Sequence, residues 1–155
     1  MQFAMVVHIR DAVERDLGRI FEIEKLSFST PWSLRSFQRE MALPFSRITV
    51  AIFGHNGSPP VGYLCRWLVA DECHVLNVAV HPDYRRLGIG EKLLKLAIDE
   101  AKAEKSEVVT LEVRRSNVAA RHLYRKMHFE ERRLRRHYYG PGEDAIVMEL
   151  AINQK

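Results

Sequence analysis

Apolar residues recur every three or four positions in four stretches of the chain, which is the spacing of one buried helix face. The first predicted helix begins near Asp11, the second is capped by Ser33, and the fourth follows Ser116 and Asn117. The second carries an apolar stripe of Leu34, Phe37 and Met41. The third, over 90–105, has the clearest stripe. Its predicted buried positions are Leu93, Leu94, Ala97, Ile98 and Ala101.

Seven other stretches are continuously apolar or alternate between apolar and polar residues, which is typical of strands. They cover residues 6–10, 47–53, 61–70, 72–80, 108–113, 129–139 and 145–150. The third and fourth are predicted to form a hairpin turning at Asp71. The order β-α-α-β-β-β-α-β-α-β-β predicts an α/β fold, with a central mixed sheet of seven strands and helices on both faces.

Length and composition favour one globular domain over residues 1–155. The chain is 46% hydrophobic and 28% charged, and it has no apolar run of the ~20 residues that span a bilayer. The first residues lack a basic leader, so we expect no signal peptide, and Met5 is an alternative start. Cys65 and Cys73 are predicted to be buried thiols, with no metal site, in a reducing cytoplasm.

The net charge is +4 and is concentrated in the last third of the chain. Two interpretations stay open. The basic residues form a solvated helix and strand face, or they attract anionic material such as a cofactor phosphate or a ribosome-like surface.

The segment 78–90 runs from an apolar strand through a turn with two arginines and two glycines into a helix. Glycine permits close approach of the backbone, and the first turn of a helix presents unpaired N–H groups at its positive dipole end. The layout therefore predicts an anion cradle suited to a pyrophosphate. A glycine-rich turn without a ligand is the alternative.

Two common nucleotide motifs do not fit this cradle. The dinucleotide fingerprint needs a third glycine where Leu93 stands, and the ATP-type loop needs Gly-Lys-Ser/Thr where Gly90-Glu91-Lys92 stands. Arg85-x-x-Gly88-x-Gly90 instead resembles the coenzyme A loop of the GNAT N-acetyltransferases.

Glu112 lies within a predicted apolar strand, where a carboxylate is costly unless it has a function or a partner. Arg114 points to the same strand face, so a structural ion pair is one interpretation. Asn117 and Tyr124 follow on the next helix, and Tyr124 alone would most often be a packed aromatic residue.

Taken together, these segments resemble GNAT acetyltransferases over nearly the whole chain, and most closely the protein N-terminal acetyltransferases of the RimI type with their archaeal counterparts. The matching segments are 77–80, 84–90, 111–117, 123–124 and 138–139, with a similar loop around Phe28, Pro31 and Trp32. The resemblance implies the GNAT fold, with about four helices and with the fourth and fifth strands splayed around acetyl-CoA.

The resemblance also assigns roles to single residues. Glu112 would be the general base, directly or through water, and Tyr124 would protonate the leaving thiolate. Asn117 would lie near the thioester. The remaining cofactor-binding residues implied are Val78, Ala79, Val80, Arg85, Arg86, Leu87, Gly88, Ile89, Gly90 and Glu91.

The expected substrate is a protein N-terminus, such as that of a ribosomal protein beginning with alanine or serine. An α-amine has a pKa near 8, so roughly a tenth is already neutral at pH 7, and one carboxylate is an adequate base. Partial burial is expected to raise the pKa of Glu112 toward the useful range. Phe28, Trp32, Tyr138 and Tyr139 would wall the first substrate residue, with core packing as the alternative.

One position departs from the pattern of many relatives. His128 stands where they carry glycine, at a helix end that often has a positive φ.

Two other functions stay open: a small-molecule amine acetyltransferase and a non-catalytic module that binds acyl-CoA or associates with RNA. The expected enzyme has no membrane partner and no specific nucleic-acid partner, and it is a monomer or weak dimer.

Overall fold

The computed structural model describes residues 6–55 and 57–152. The predictions about the extreme N-terminus, namely the alternative start at Met5 and the expected absence of a signal peptide, fall on residues outside these ranges. Over the described residues, no helix is both long enough and apolar enough to cross a membrane.

The elements follow the predicted order. The strands are β1 (Val7–Asp11), β2 (Ser46–Phe53), β3 (Pro60–Val69), β4 (Glu72–Val80), β5 (Val108–Arg114), β6 (Glu130–Arg135) and β7 (Ala145–Ala151). The helices are α1 (Leu17–Ser27), α2 (Leu34–Ala42), α3 (Ile89–Ala103) and α4 (Val118–Lys126). Short 3-10 turns cover Glu14–Asp16 and Pro82–Tyr84.

All seven strands form one sheet in the order β1-β2-β3-β4-β5-β7-β6. β4 and β5 are parallel, with Glu72 to Val75 paired to Val108 to Leu111, whereas β5 with β7 and β6 with β7 are antiparallel. The expected mixed seven-stranded sheet with four helices is therefore confirmed.

The first helix begins later than predicted. Asp11 belongs to β1, and the chain enters α1 through the 3-10 turn. The buried Asp16 organises this turn, because its carboxylate accepts hydrogen bonds from the backbone N–H of Val13 (2.8 Å) and from the Arg10 guanidinium (2.7 Å). These contacts hold the pKa of Asp16 below its ordinary value although burial opposes them.

The chain divides into two compact units. The first contains the chain up to Arg66 together with Asn77–Leu96, and its core includes Phe37 packed edge-on against Tyr63. The predicted stripe of α2 was wrong in part. Phe37 is buried, but Leu34 and Met41 are exposed, because this short helix buries only one residue.

The second unit contains Trp67–Leu76 and the chain from Ala97 onward. β5 lies beside β7, and every second residue of β5 is buried, so Val109, Leu111 and Val113 face a core while Glu112 lies on the opposite face. Asn117 caps α4 by accepting from the N–H of Ala120 at 3.1 Å, and Ser33 caps α2 in the same way, as predicted. Both cysteines are buried free thiols, also as predicted.

The sixth strand is shorter than predicted. It ends at Arg135 rather than Tyr139, because His137 has a φ of +54° and the following residues form a turn. The turn is closed by the backbone N–H of His137 donating to Asp144, and by that of Gly142 donating to the His137 ring at 2.9 Å.

His128 ends α4 in the left-handed region, with a φ of +75°, as its position after the helix predicted. Replacing His128 with glycine should therefore stabilise the protein by about 0.5–1 kcal/mol, since glycine adopts this conformation without steric cost. Urea unfolding measures the change. The matched control is His122→Gly inside α4, which should lose roughly 0.3 kcal/mol. A less stable His128→Gly protein would contradict the explanation.

Candidate active site

The predicted anion cradle lies between β4 and α3. After the 3-10 turn the backbone passes through two left-handed residues, Arg86 (φ +63°) and Gly88 (φ +79°), before α3 begins at Ile89. Arg85 is tied back to the protein, because its Nε donates to the carbonyl of Val80 at 3.0 Å and its Nη2 donates to the Ser27 hydroxyl at 3.2 Å. These two hydrogen bonds of Arg85 hold the loop in its conformation.

This loop has the features that an anionic phosphate group needs. Residues 85–88 are exposed, and the N–H groups of the first turn of α3 point out of the N-terminal end of the helix. The helix dipole adds partial positive charge there. Gly88 occupies a conformation that other residues adopt only with strain. The residues present therefore fit the pyrophosphate of a coenzyme A thioester.

The predicted base, Glu112, lies on the polar face of β5 with its side chain 14% exposed. Its Oε2 is 2.7 Å from His74 Nε2 on β4, and its Oε1 is 3.5 Å from Arg135 Nη1 on β6. The guanidinium of Arg114 lies 3.3 Å from Glu143 and over the Tyr139 ring at 4.3 Å.

The prediction of a raised pKa for Glu112 was wrong. The hydrogen bond with His74 lowers that pKa more than burial raises it, and the charges of His74, Arg135 and Arg133 lower it further. Glu112 is consequently a carboxylate that stays ionised at neutral pH. It is a weak base, but it is always in the form that accepts a proton.

Tyr124 lies on α4 and is almost fully buried, with its ring 5.9 Å from that of Phe129. Burial, and then the nearby Tyr139, raise the pKa of its phenol well above the ordinary value. The phenol therefore keeps its proton at neutral pH. Asn117, about two turns earlier, uses its side-chain oxygen as the helix cap.

Tyr138 and Tyr139 form an edge-to-face pair with ring centroids 5.0 Å apart. Each ring is also covered by an arginine, Arg135 over Tyr138 at 4.4 Å and Arg114 over Tyr139 at 4.3 Å. Tyr139 is half-buried, and its pKa is raised to about 12 by burial and by the neighbouring Tyr138 and Glu112. Tyr138 is 46% exposed, so it is not a core residue.

The other two predicted aromatic residues lie in the first unit. Phe28 ends α1 by donating its N–H to the carbonyl of Glu24, and the Trp32 ring packs 5.2 Å from the Phe37 ring. Both side chains are half-buried. Packing against the core is thus part of the role of Trp32.

A buried polar cluster in this unit escaped the sequence analysis. The carboxylate of Glu24 is 1% exposed and accepts from the Tyr63 hydroxyl, from Asn77 Nδ2 at 2.6 Å and from the backbone N–H of Trp32 at 2.8 Å. Burial raises the pKa of Glu24, and the three donors oppose that rise. The cluster fixes the loop that carries Trp32.

The sequence contained a signal for part of this cluster. Glu24 follows the buried Ile20 and Ile23 at helical spacing, so its burial was predictable from α1 alone. Its partners Tyr63 and Asn77 lie 39 and 53 residues away and carry no local signal. His74 was similarly missed as a partner of Glu112, because this contact depends on the strand register.

Comparisons with known proteins identify the family of this chain. Residues 17–129 match the acetyltransferase (GNAT) family. The chain is 36% identical over 141 residues to the [ribosomal protein bS18]-alanine N-acetyltransferase of Escherichia coli, covering 89% of this chain and 93% of that protein. It is 34% identical over 149 residues to a Bacillus subtilis protein to which the same activity is provisionally assigned by name. That alignment covers 94% of this chain and 96% of the Bacillus subtilis protein.

Solved structures show the same fold. The crystal structure of the ribosomal-protein-S18-alanine N-acetyltransferase from Escherichia coli has a TM-score of 0.85 and 33% identity, covering 97% of this chain and 96% of that one. Arabidopsis thaliana NAA60 in complex with a bisubstrate analogue has a TM-score of 0.87, and the superposition covers 97% of this chain and 100% of that one. At 20% identity it supports the fold alone.

Replacing Glu24 with alanine should destabilise the protein by roughly 3 kcal/mol, because it leaves three donors without their acceptor. Urea unfolding followed by tryptophan fluorescence checks this value. The matched control is Glu22→Ala on the same helix, where an exposed pair with Arg19 is lost and the change should stay below about 0.5 kcal/mol. Equal effects of the two substitutions would contradict the importance of the cluster.

Proposed function

Because the chain belongs to the acetyltransferase (GNAT) family, whose acetyl donor is acetyl-CoA, we propose that it acetylates the N-terminal α-amino group of a protein. The observation that carries the proposal is its similarity, over most of both chains, to enzymes named for acetylating the alanine of ribosomal protein bS18. A ribosomal protein with alanine or serine at its N-terminus is the proposed substrate.

We further propose that residues 1–155 act as one domain. The family match runs through both compact units, and each unit is built from two separate segments of the chain. All seven strands also belong to one sheet.

Acetyl-CoA, when bound, supplies an acetyl thioester whose carbonyl carbon accepts the amine. The loop residues 85–91 would hold its pyrophosphate through backbone N–H groups, and Arg85 would keep the loop in shape through Val80 and Ser27. The backbone of Val78, Ala79 and Val80 would pair with the extended part of the donor in the way of an added strand. Asn117 would lie near the acyl group with its side-chain amide.

Glu112 would remove the proton from the attacking amine, directly or through one water. The required basicity is modest, since roughly a tenth of α-amines with a pKa near 8 is neutral at pH 7. The amine becomes far more acidic once its nitrogen has attacked a carbonyl, so an ionised carboxylate with a low pKa is sufficient. This accounts for a base whose pKa is lowered rather than raised.

Tyr124 would donate the proton of its phenol toward the sulfur as negative charge develops there. The raised pKa of Tyr124 keeps this proton in place until it is needed. A buried donor also acts in a region of low dielectric, where its hydrogen bond to a charged atom is stronger than in water.

Tyr138 and Tyr139 would contact the first residues of the peptide. Their rings are held by Arg135 and Arg114, so they offer a rigid aromatic surface. Phe28 and Trp32 would contribute from the loop that Glu24 fixes. Such walls would favour a small first side chain.

A peptide panel tests the substrate class. Peptides that begin with alanine or serine should be acetylated at the α-amine, and peptides blocked at that amine should not react even when they contain lysine. The measurement is incorporation of labelled acetyl groups, with mass spectrometry locating the modified nitrogen. Transfer to polyamines or aminosugars, with none to any free peptide N-terminus, would contradict the proposal.

Glu112→Gln and Tyr124→Phe should each lower kcat by roughly 10²–10⁴-fold, the usual contribution of a general base or acid. Calorimetry should still detect binding of acetyl-CoA, because neither residue belongs to the loop at the start of α3. Glu143→Gln is the matched control, since it removes an exposed carboxylate bound to Arg114, and its kcat should stay within about threefold of the wild type. Full activity of the Glu112→Gln, Tyr124→Phe double variant would overturn the mechanism.

A further inference from the structure

We propose that His74 is a positioning residue that acts on the reaction through Glu112. The inference rests on the proposed role of Glu112 as the base. It goes beyond that role by assigning a function to a β4 side chain that would itself touch neither substrate.

The contact follows from the register of the parallel strands. His74 is paired with Thr110, and Glu112 lies two residues further along β5 on the same face. The two side chains are therefore diagonal neighbours, within reach of each other because both are long. The resulting distance between His74 Nε2 and Glu112 Oε2 is 2.7 Å, that of a charge-assisted hydrogen bond.

The two oxygens of Glu112 are held unequally. Oε2 is bound by His74, whereas Oε1 has, among the described residues, only the 3.5 Å contact with Arg135. Arg135 is itself 45% exposed and stacks on Tyr138. Oε2 thus anchors the carboxylate, and Oε1 is the oxygen available to accept a proton from the amine or a bridging water.

His74 is restrained on another side by Trp67. The two rings meet edge to face at 86°, with centroids 6.3 Å apart, and Trp67 lies on β3, which precedes β4 in the chain. Trp67, His74 and Glu112 consequently form a chain of contacts that ends at the carboxylate. Glutamate has three rotatable side-chain bonds, and a displacement of about 1 Å at a reacting group can cost 10²-fold in rate.

The charged groups around Glu112 are consistent with His74 as the partner that anchors its carboxylate. The groups that act on the charge of Glu112 include His74 from β4, Arg133 and Arg135 from β6, and Tyr139 from the turn before β7, and Arg114 lies on the same face of β5. Of these, the hydrogen bond with His74 lowers the pKa of Glu112 the most. His74 therefore holds the carboxylate in place and keeps it ionised.

The test is a double-mutant cycle with His74→Leu, Glu112→Gln and the combined variant. His74→Leu should lower kcat roughly 10–100-fold, by analogy with the loss of a partner that orients a metal ligand, while the KM for acetyl-CoA stays unchanged. The combined variant should be no slower than Glu112→Gln, because His74 has no effect without its carboxylate. His8→Leu, an exposed strand histidine, is the matched control and should keep wild-type activity.

Two polar variants separate positioning from folding. His74→Gln keeps an N–H donor at the reach of Nε2 and should recover most of kcat, whereas the shorter His74→Asn cannot reach Glu112 and should stay slow. The acid limb of the kcat profile should move to higher pH in His74→Asn, because the hydrogen bond that lowers the pKa of the base is lost. Thermal unfolding of both variants confirms that they fold.

The outcomes distinguish this inference from the proposed function. Wild-type kcat in His74→Leu and His74→Asn, with a slow Glu112→Gln, would overturn the role of His74 and leave the base in place. Multiplicative losses in the combined variant would mean that His74 acts by another route and would also overturn it. Unimpaired Glu112→Gln would remove the proposed base itself, and with it any role that His74 has through Glu112.

Discussion

The parallel pairing of β4 with β5 is the constraint on which the catalytic proposal depends. Four residue pairs set the register, and this register brings a histidine and a carboxylate from distant parts of the chain within hydrogen-bonding distance. A shift of one residue would turn Glu112 toward the core, where an ionised carboxylate is costly. Register therefore decides whether β5 carries a usable base.

Two carboxylates in this protein show how partners decide the state of an acid. Glu24 is more deeply buried than Glu112 and has its pKa raised, although three neutral donors surround it. Glu112 is half-buried, is hydrogen-bonded to His74, lies near Arg135 and Arg133, and has its pKa lowered. The donors around Glu24 only partly offset desolvation, whereas the hydrogen bond with His74 and the nearby charges outweigh it at Glu112. The first carboxylate organises a loop, and the second remains available for chemistry.

Much of the fold was predictable because its signals are local. Helix caps at Ser33 and Asn117, the stripe of α3 and the left-handed end of α4 at His128 all depend on neighbouring residues. The end of β6 and the electrostatics of Glu112 were not predictable. The former depends on the positive φ of His137, and the latter depends on side chains from β4 and β6 that only the sheet brings together.

The basic run that follows α4 has a consequence for solubility. β6 is the last strand of the sheet, all six of its residues are exposed, and three of them are arginines. An uncovered edge strand offers free backbone groups to any other strand, which is how folded proteins begin to aggregate. Five of the six residues of β6 are charged, and charged side chains on an edge strand oppose pairing with another strand, so this strand resists self-association by its own composition.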